Sequence, residues 1–199
     1  MENKLSTWHG TTILSVRKGS EVVIAADGQI SMDSLIIKSN VRKIRRFTKG
    51  NVIAGFTGST ADALVLFEKL EDKLDQTPHQ LLRPCVDLVR DWRKDPLLRT
   101  VTETMVVISP RQSLILSSTG EVYEPDDGIV AVGCGGPYAL SAARALLDVE
   151  GYTAKMIVEK AMKIASEIYV FTDSNLTIES MEAGSVGKLG VEGMSASSS

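Results

Sequence analysis

The chain has 199 residues, 43% of them hydrophobic, a formal net charge of −3 and two cysteines. That length and apolar content fit one domain with a substantial core, the slightly acidic balance excludes a general nucleic-acid backbone binder, and no run is long enough to span a membrane. Cys85 and Cys134 are too few for a disulfide framework and suit a reducing, intracellular compartment.

Residues 1–10 are polar and aperiodic, lack the apolar core of a secretory signal, and are read as a removable prosegment ahead of a domain over 11–183. Thr11 to Val16 and Glu21 to Ala26 are rich in β-branched residues and flank the turn chemistry of Arg17-Lys18-Gly19-Ser20, which predicts a hairpin. Its second arm, Val22 to Ala26, is continuously apolar, as a strand covered on both faces must be. A polar loop through Met32-Asp33-Ser34 then leads to strands over Leu35 to Lys38, Val41 to Phe47 and Val52 to Phe56, with a Lys49-Gly50-Asn51 turn before the last.

Ser59 or Thr60 caps a predicted helix with Ala63, Leu64, Phe67, Leu70 and Leu74 on its apolar face. Thr77-Pro78 starts a second, with Leu81, Cys85, Leu88 and Trp92 on one stripe. Strands return over Met105 to Ile108, Leu114 to Leu116, Val122-Tyr123 and Ile129 to Val132. Pro137 opens a third helix through Leu147, and Thr153 caps a fourth carrying Ile157, Ala161, Ile164 and Ile168. A last strand at Leu176 to Ile178 precedes a Gly/Ser-rich tail over 184–199, expected to be disordered. Strands, two helices, strands, two helices predict an α+β fold of four layers, an αββα sandwich of two stacked sheets with a helix pair outside each. That arrangement is expected to bury every apolar face in the series.

Histidine usage excludes much chemistry: only His9 and His79 are present, the first inside the prosegment and the second in the turn-like Gln76-Thr77-Pro78-His79. Gly133-Cys134-Gly135-Gly136 and Gly55 to Thr60 lack the Lys-Ser/Thr ending of a phosphate-binding loop, so no ATP site is expected on this chain. A cut between Gly10 and Thr11 would instead free an α-amine, of pKa roughly 7.7–8.0, beside a hydroxyl, a nucleophile and its base on one residue. Lys43 would depress that amine's pKa and stabilise charge on the hydroxyl oxygen, and Asp27 is the natural partner for a buried lysine. Gly58, in a tight turn before a helix N-terminus, is the expected oxyanion donor.

Thr11-Thr12-Ile13, Ala26-Asp27-Gly28-Gln29, Val41-Arg42-Lys43, Ile53 to Asp62, Asp91-Trp92-Arg93 and Gly135 to Ala139 together closely resemble the HslV (ClpQ) family of proteasome-like peptidases, from Thr11 to about Glu179. The resemblance implies the N-terminal-nucleophile hydrolase fold, a homo-dodecamer of two stacked hexameric rings, capping by a hexameric HslU-type ATPase, unfolded protein substrates, and a cytoplasmic or mitochondrial-matrix location. It makes Thr11 the nucleophile, Asp27 and Lys43 its charged supports and Gly58 the oxyanion donor. It also implies a monovalent-cation (Na+ or K+) site on the carbonyls of Ser166, Tyr169 and Thr172. Cys134 stands where the family usually has an active-site serine, and Ser166 and Tyr169 where it has glycine and cysteine. The ten leading residues also admit a non-catalytic ring subunit that keeps its prosegment.

Overall fold

The structure, a computed structural model, describes residues 8–47, 51–77 and 80–184. The Lys49-Gly50 turn positions, Pro78, His79 and the tail beyond 184 therefore lie outside the described residues, as does most of the prosegment.

Strands β1 (Trp8–His9), β2 (Thr12–Lys18), β3 (Glu21–Asp27), β4 (Ile30–Met32), β5 (Leu35–Lys38), β6 (Ile44–Phe47) and β7 (Val52–Phe56) precede helices α1 (Thr60–Gln76) and α2 (Leu82–Lys94). Next come β8 (Thr104–Ile108), β9 (Ser113–Ser117), β10 (Val122–Tyr123) and β11 (Ile129–Gly133), then α3 (Gly136–Leu147), α4 (Ala154–Ile168) and β12 (Leu176–Glu182). Among the described residues the strands form a four-stranded sheet in the order β11-β2-β3-β12, a five-stranded sheet β10-β9-β8-β7-β6, and a small sheet β1-β4-β5. Pairing is antiparallel throughout the two large sheets.

The period of two along β2 builds the layers. Ile13 points between the sheets, with Ile24, Ile53, Val106, Ile108 and Val130. Leu14 and Val16 point the other way, onto Ala143, Ile157 and Ala161 of α3 and α4. On the far side, Leu66, Leu70, Leu88 and Trp92 of α1 and α2 pack on Phe56 and Met105. The expected αββα sandwich is the observed one.

Several details differ. Leu64 is 52% exposed and Leu66 takes its place in the core; two residues apart on a helix, they point about 200° from one another. Helix α2 begins at Leu82 rather than Thr77-Pro78, with Pro84 in its first turn, where its missing N–H costs nothing. Ile168, at the end of α4, is exposed. The expected loop at Met32 contains β4, which pairs with β5 and with Trp8–His9. Leu35, Ile36 and Ile37 do form a strand, but stand 61%, 64% and 50% exposed, so the sandwich does not bury every apolar segment. The strand expected over Val41 to Phe47 starts only at Ile44, because the Val41 N–H crosses to Gly28 O (3.0 Å). That crossing carries Lys43 to the end of β3.

Candidate active site

The site lies at one end of the β2–β3 hairpin, where the two strands pair Ile13 with Ala26 and place Thr12 opposite the tip of β3. Asp27, the last residue of β3, is fully buried. Its Oδ1 accepts from the Thr12 N–H (2.6 Å) and from Lys43 Nζ (2.9 Å), and its Oδ2 from the Gln29 N–H (3.2 Å). Lys43 also donates to Gln29 O (2.6 Å), so both charges are buried with good hydrogen bonds. Burial pushes the Lys43 pKa down, against the pull of Asp27, Asp173 and Cys134. Burial likewise raises that of Asp27, and its lysine partner and two backbone N–H donors oppose the shift.

Thr11 is 2% exposed and has φ 156°, an uncommon conformation for a β-branched residue. It is held from behind by Gly133 (φ 84°): a Cβ there would overlap Thr11 O, so β11 ends on a glycine where its backbone meets that of Thr11. The Thr12 hydroxyl, one residue on, shares a 2.6 Å hydrogen bond with that of Thr172, tying the start of β2 to the loop after α4.

A cavity of about 650 Å³ opens over Thr11, with Gly58, Cys134, Thr57 and Glu103 among its walls. A second, of about 30 Å³, joins Thr11 and Gly58 to Lys43. The Gly58 N–H has no hydrogen-bond partner among the described residues, and Ser59 beside it caps α1 by accepting from the Asp62 N–H (3.1 Å). Gly58, whose N–H is without a partner among the described residues, thus lines the same two cavities as Thr11.

Thr11, Asp27, Lys43, Gly58 and Cys134 therefore come together. Ser166 lies in the last turn of α4 and Tyr169 is its C-cap, with the Tyr169 side chain hydrogen-bonded to Cys134 of the cavity wall, and Thr172 follows in the loop. The Tyr169 carbonyl accepts from the Thr172 N–H (3.0 Å). No cluster of His, Cys, Asp and Glu able to hold a metal occurs among the described residues. Asp173 was missed: its Oδ1 accepts from the Gly28 N–H (3.1 Å), and its charge acts on Lys43. The polar run Thr172-Asp173-Ser174-Asn175 between α4 and β12 is the only trace of it in the sequence.

A family profile described as proteasome subunit matches residues 7–181. The chain belongs to the proteasome family. Within that family it is 51% identical over 174 residues to the ATP-dependent protease subunit HslV of Wolbachia sp. subsp. Brugia malayi, covering 87% of this chain and 99% of that protein. It is 50% identical over 180 residues to the protein of the same name from Paramagnetospirillum magneticum, covering 90% and 99%. The crystal structure of eukaryotic HslV from Trypanosoma brucei superposes with a TM-score of 0.81 at 45% identity, over 86% of this chain and 99% of that one. The proteasome-family sandwich and the HslV likeness read from the motifs agree with these matches. Among the described residues no helix is long and apolar enough to cross a membrane.

Proposed function

We propose that this proteasome-family chain is the peptidase subunit of an ATP-dependent protease and cuts peptide bonds of unfolded proteins with the N-terminal threonine freed by cleavage after Gly10. The observation that carries the reading is the Asp27–Lys43 pair, buried beside Thr11 with an unpaired Gly58 N–H across the cavity. In the processed chain the Thr11 hydroxyl gives its proton to the α-amine as its oxygen attacks the substrate carbonyl. The Lys43 charge favours the neutral amine and the developing alkoxide, and the Gly58 N–H receives the oxyanion. Collapse expels the new amine with the proton held on the Thr11 nitrogen, leaving an ester on Thr11 Oγ. Water, deprotonated by the same amine, then cleaves the ester. Removal of residues 1–10 starts without that amine, because the Thr11 nitrogen is still an amide: the hydroxyl attacks the Gly10 carbonyl, the Gly10–Thr11 C–N bond breaks as the hydroxyl proton passes to the departing nitrogen, and water hydrolyses the resulting Gly10 ester.

The identity to HslV proteins supports assembly as two stacked hexameric rings capped and activated by a hexameric HslU-type ATPase, with ATP bound by that partner, in a cytoplasm or mitochondrial matrix. Ser166, Tyr169 and Thr172 fit a monovalent cation, since their carbonyls lie at or just beyond the negative C-terminal pole of α4. A cation there would steady the loop whose Thr172 holds Thr12.

Replacing Thr11 by Ala is expected to abolish hydrolysis of a fluorogenic peptide while leaving the assembled size on gel filtration unchanged; full activity would end the proposal. A second reading, a non-catalytic ring subunit, draws on the ladder that seats Trp8 and His9 against Met32 and Ser31. Intact mass separates the two: the peptidase requires loss of residues 1–10, and the silent subunit retains them.

A further inference from the structure

We propose that Glu103 sets the substrate preference of the large cavity, favouring chains with lysine or arginine beside the bond to be cut; this rests on the peptidase reading above. Among the described residues, the charged side chains lining the cavity are those of Asp62 and Glu103, both acids, with no Lys, Arg or His beside them. Glu103 precedes β8 and is held at both levels: its carbonyl accepts from the Ser118 N–H (3.2 Å) and its Oε2 from the Thr57 hydroxyl (2.5 Å). Thr57 is fixed in turn by the Thr104 N–H (3.1 Å). Glu103 Oε1 accepts nothing among the described residues.

The position of this carboxylate matters more than its number. A Cβ placed on Gly58 would stand 2.8 Å from Glu103 Cγ, so the acid's stem lies against the residue whose N–H receives the oxyanion. A negative charge so close opposes the charge that develops in the transition state, and more strongly as substrate displaces water. A cationic substrate side chain in the cavity neutralises Glu103 and removes that opposition. An acidic one adds to it. Asp62, with one oxygen on the Ser59 hydroxyl (2.7 Å), adds the same sign of field at the rim.

The test uses the processed protein with its ATPase partner and three fluorogenic peptides alike except for Arg, Leu or Glu before the scissile bond. The ratio of kcat/KM for the Arg peptide to that for the Glu peptide is expected to be about tenfold or more, and to fall toward one in Glu103→Gln and in 0.5 M salt. Because both rates come from one preparation, loss of folded protein cancels. Equal ratios in the parent and the variant, or a parent that prefers the Glu peptide, overturn the role of Glu103 and leave the peptidase standing. Hydrolysis of none of the three by protein that begins at Thr11 overturns both.

Discussion

The two ends of the β2–β3 hairpin each hold a cation against the sheets, and they satisfy it in opposite ways. At the site end Lys43 faces a fully buried carboxylate, Asp27, with Asp173 nearby. At the other end Arg17 reaches across the sandwich to neutral acceptors: Pro110 O (2.6 Å), Ser109 O (2.8 Å) and Ser113 Oγ (3.1 Å). Arg17 clamps one sheet to the turn of the other by hydrogen bonds to neutral acceptors, with the Glu124 carboxylate acting on it from nearby but not bonded to it. Lys43 is matched to a charge, and in the proposed peptidase its field lies where the Thr11 oxygen would have to become nucleophilic. The contrast separates a cation that holds the fold from one that holds a reaction.

Lys43→Met should break the comparison hardest. It strands the Asp27 carboxylate in the core, at a cost of about 3–5 kcal/mol in urea unfolding, and lowers kcat/KM by about a thousandfold. Arg17→Met should cost about 2 kcal/mol in the same unfolding experiment, from three hydrogen bonds to uncharged acceptors. The peptidase rate of its folded fraction should stay within about twofold of the parent's. A large loss of activity there would mean that the clamp end also governs the site.

Cys85 sharpens the contrast from a third position, a buried ionisable group with no partner charge. Burial among the side chains under α1 and α2 pushes its thiol up to about 12 from an ordinary value near 9. Between those values the unfolded thiol has lost its proton and the folded one has not, so stability is complete below pH 9 and falls as pH rises through the window. The expected slope is about 1.4 kcal/mol per pH unit, read by urea unfolding between pH 8 and 10.5. Cys85→Ala should flatten it. The exposed Cys134 should meanwhile react with iodoacetamide in the folded protein while Cys85 does not.

Much of this was legible along the chain. The hairpin at Thr12–Lys18 and Glu21–Asp27, the cap at Ser59 and the cap at Thr153 are encoded in neighbours two to four residues apart, and the structure forms all of them. Thr11, Asp27 and Gly58 were legible because each lies at or beside the limit of a locally marked element, and Lys43 because a lysine in a buried strand calls for an acid such as Asp27. Asp173 and Glu103 were not. A single acid in a polar loop looks like any solvated acid, and its meaning depends on what the sheets bring opposite it. The β4–β5 hairpin was half legible: its apolar run predicts a strand, but only the fold shows that no layer covers it.

The amino-acid order by itself determined the elements and the chemical inventory, because periodicity, caps and turn residues act over a few positions of chain. The tertiary structure alone decided that Thr12 meets Thr172, that Glu103 lies against Gly58, and that Val41 crosses to Gly28 and leaves Lys43 ahead of β6. Those contacts join residues up to 160 positions apart. They depend on sheet register and on how two layers stack, which no local pattern specifies.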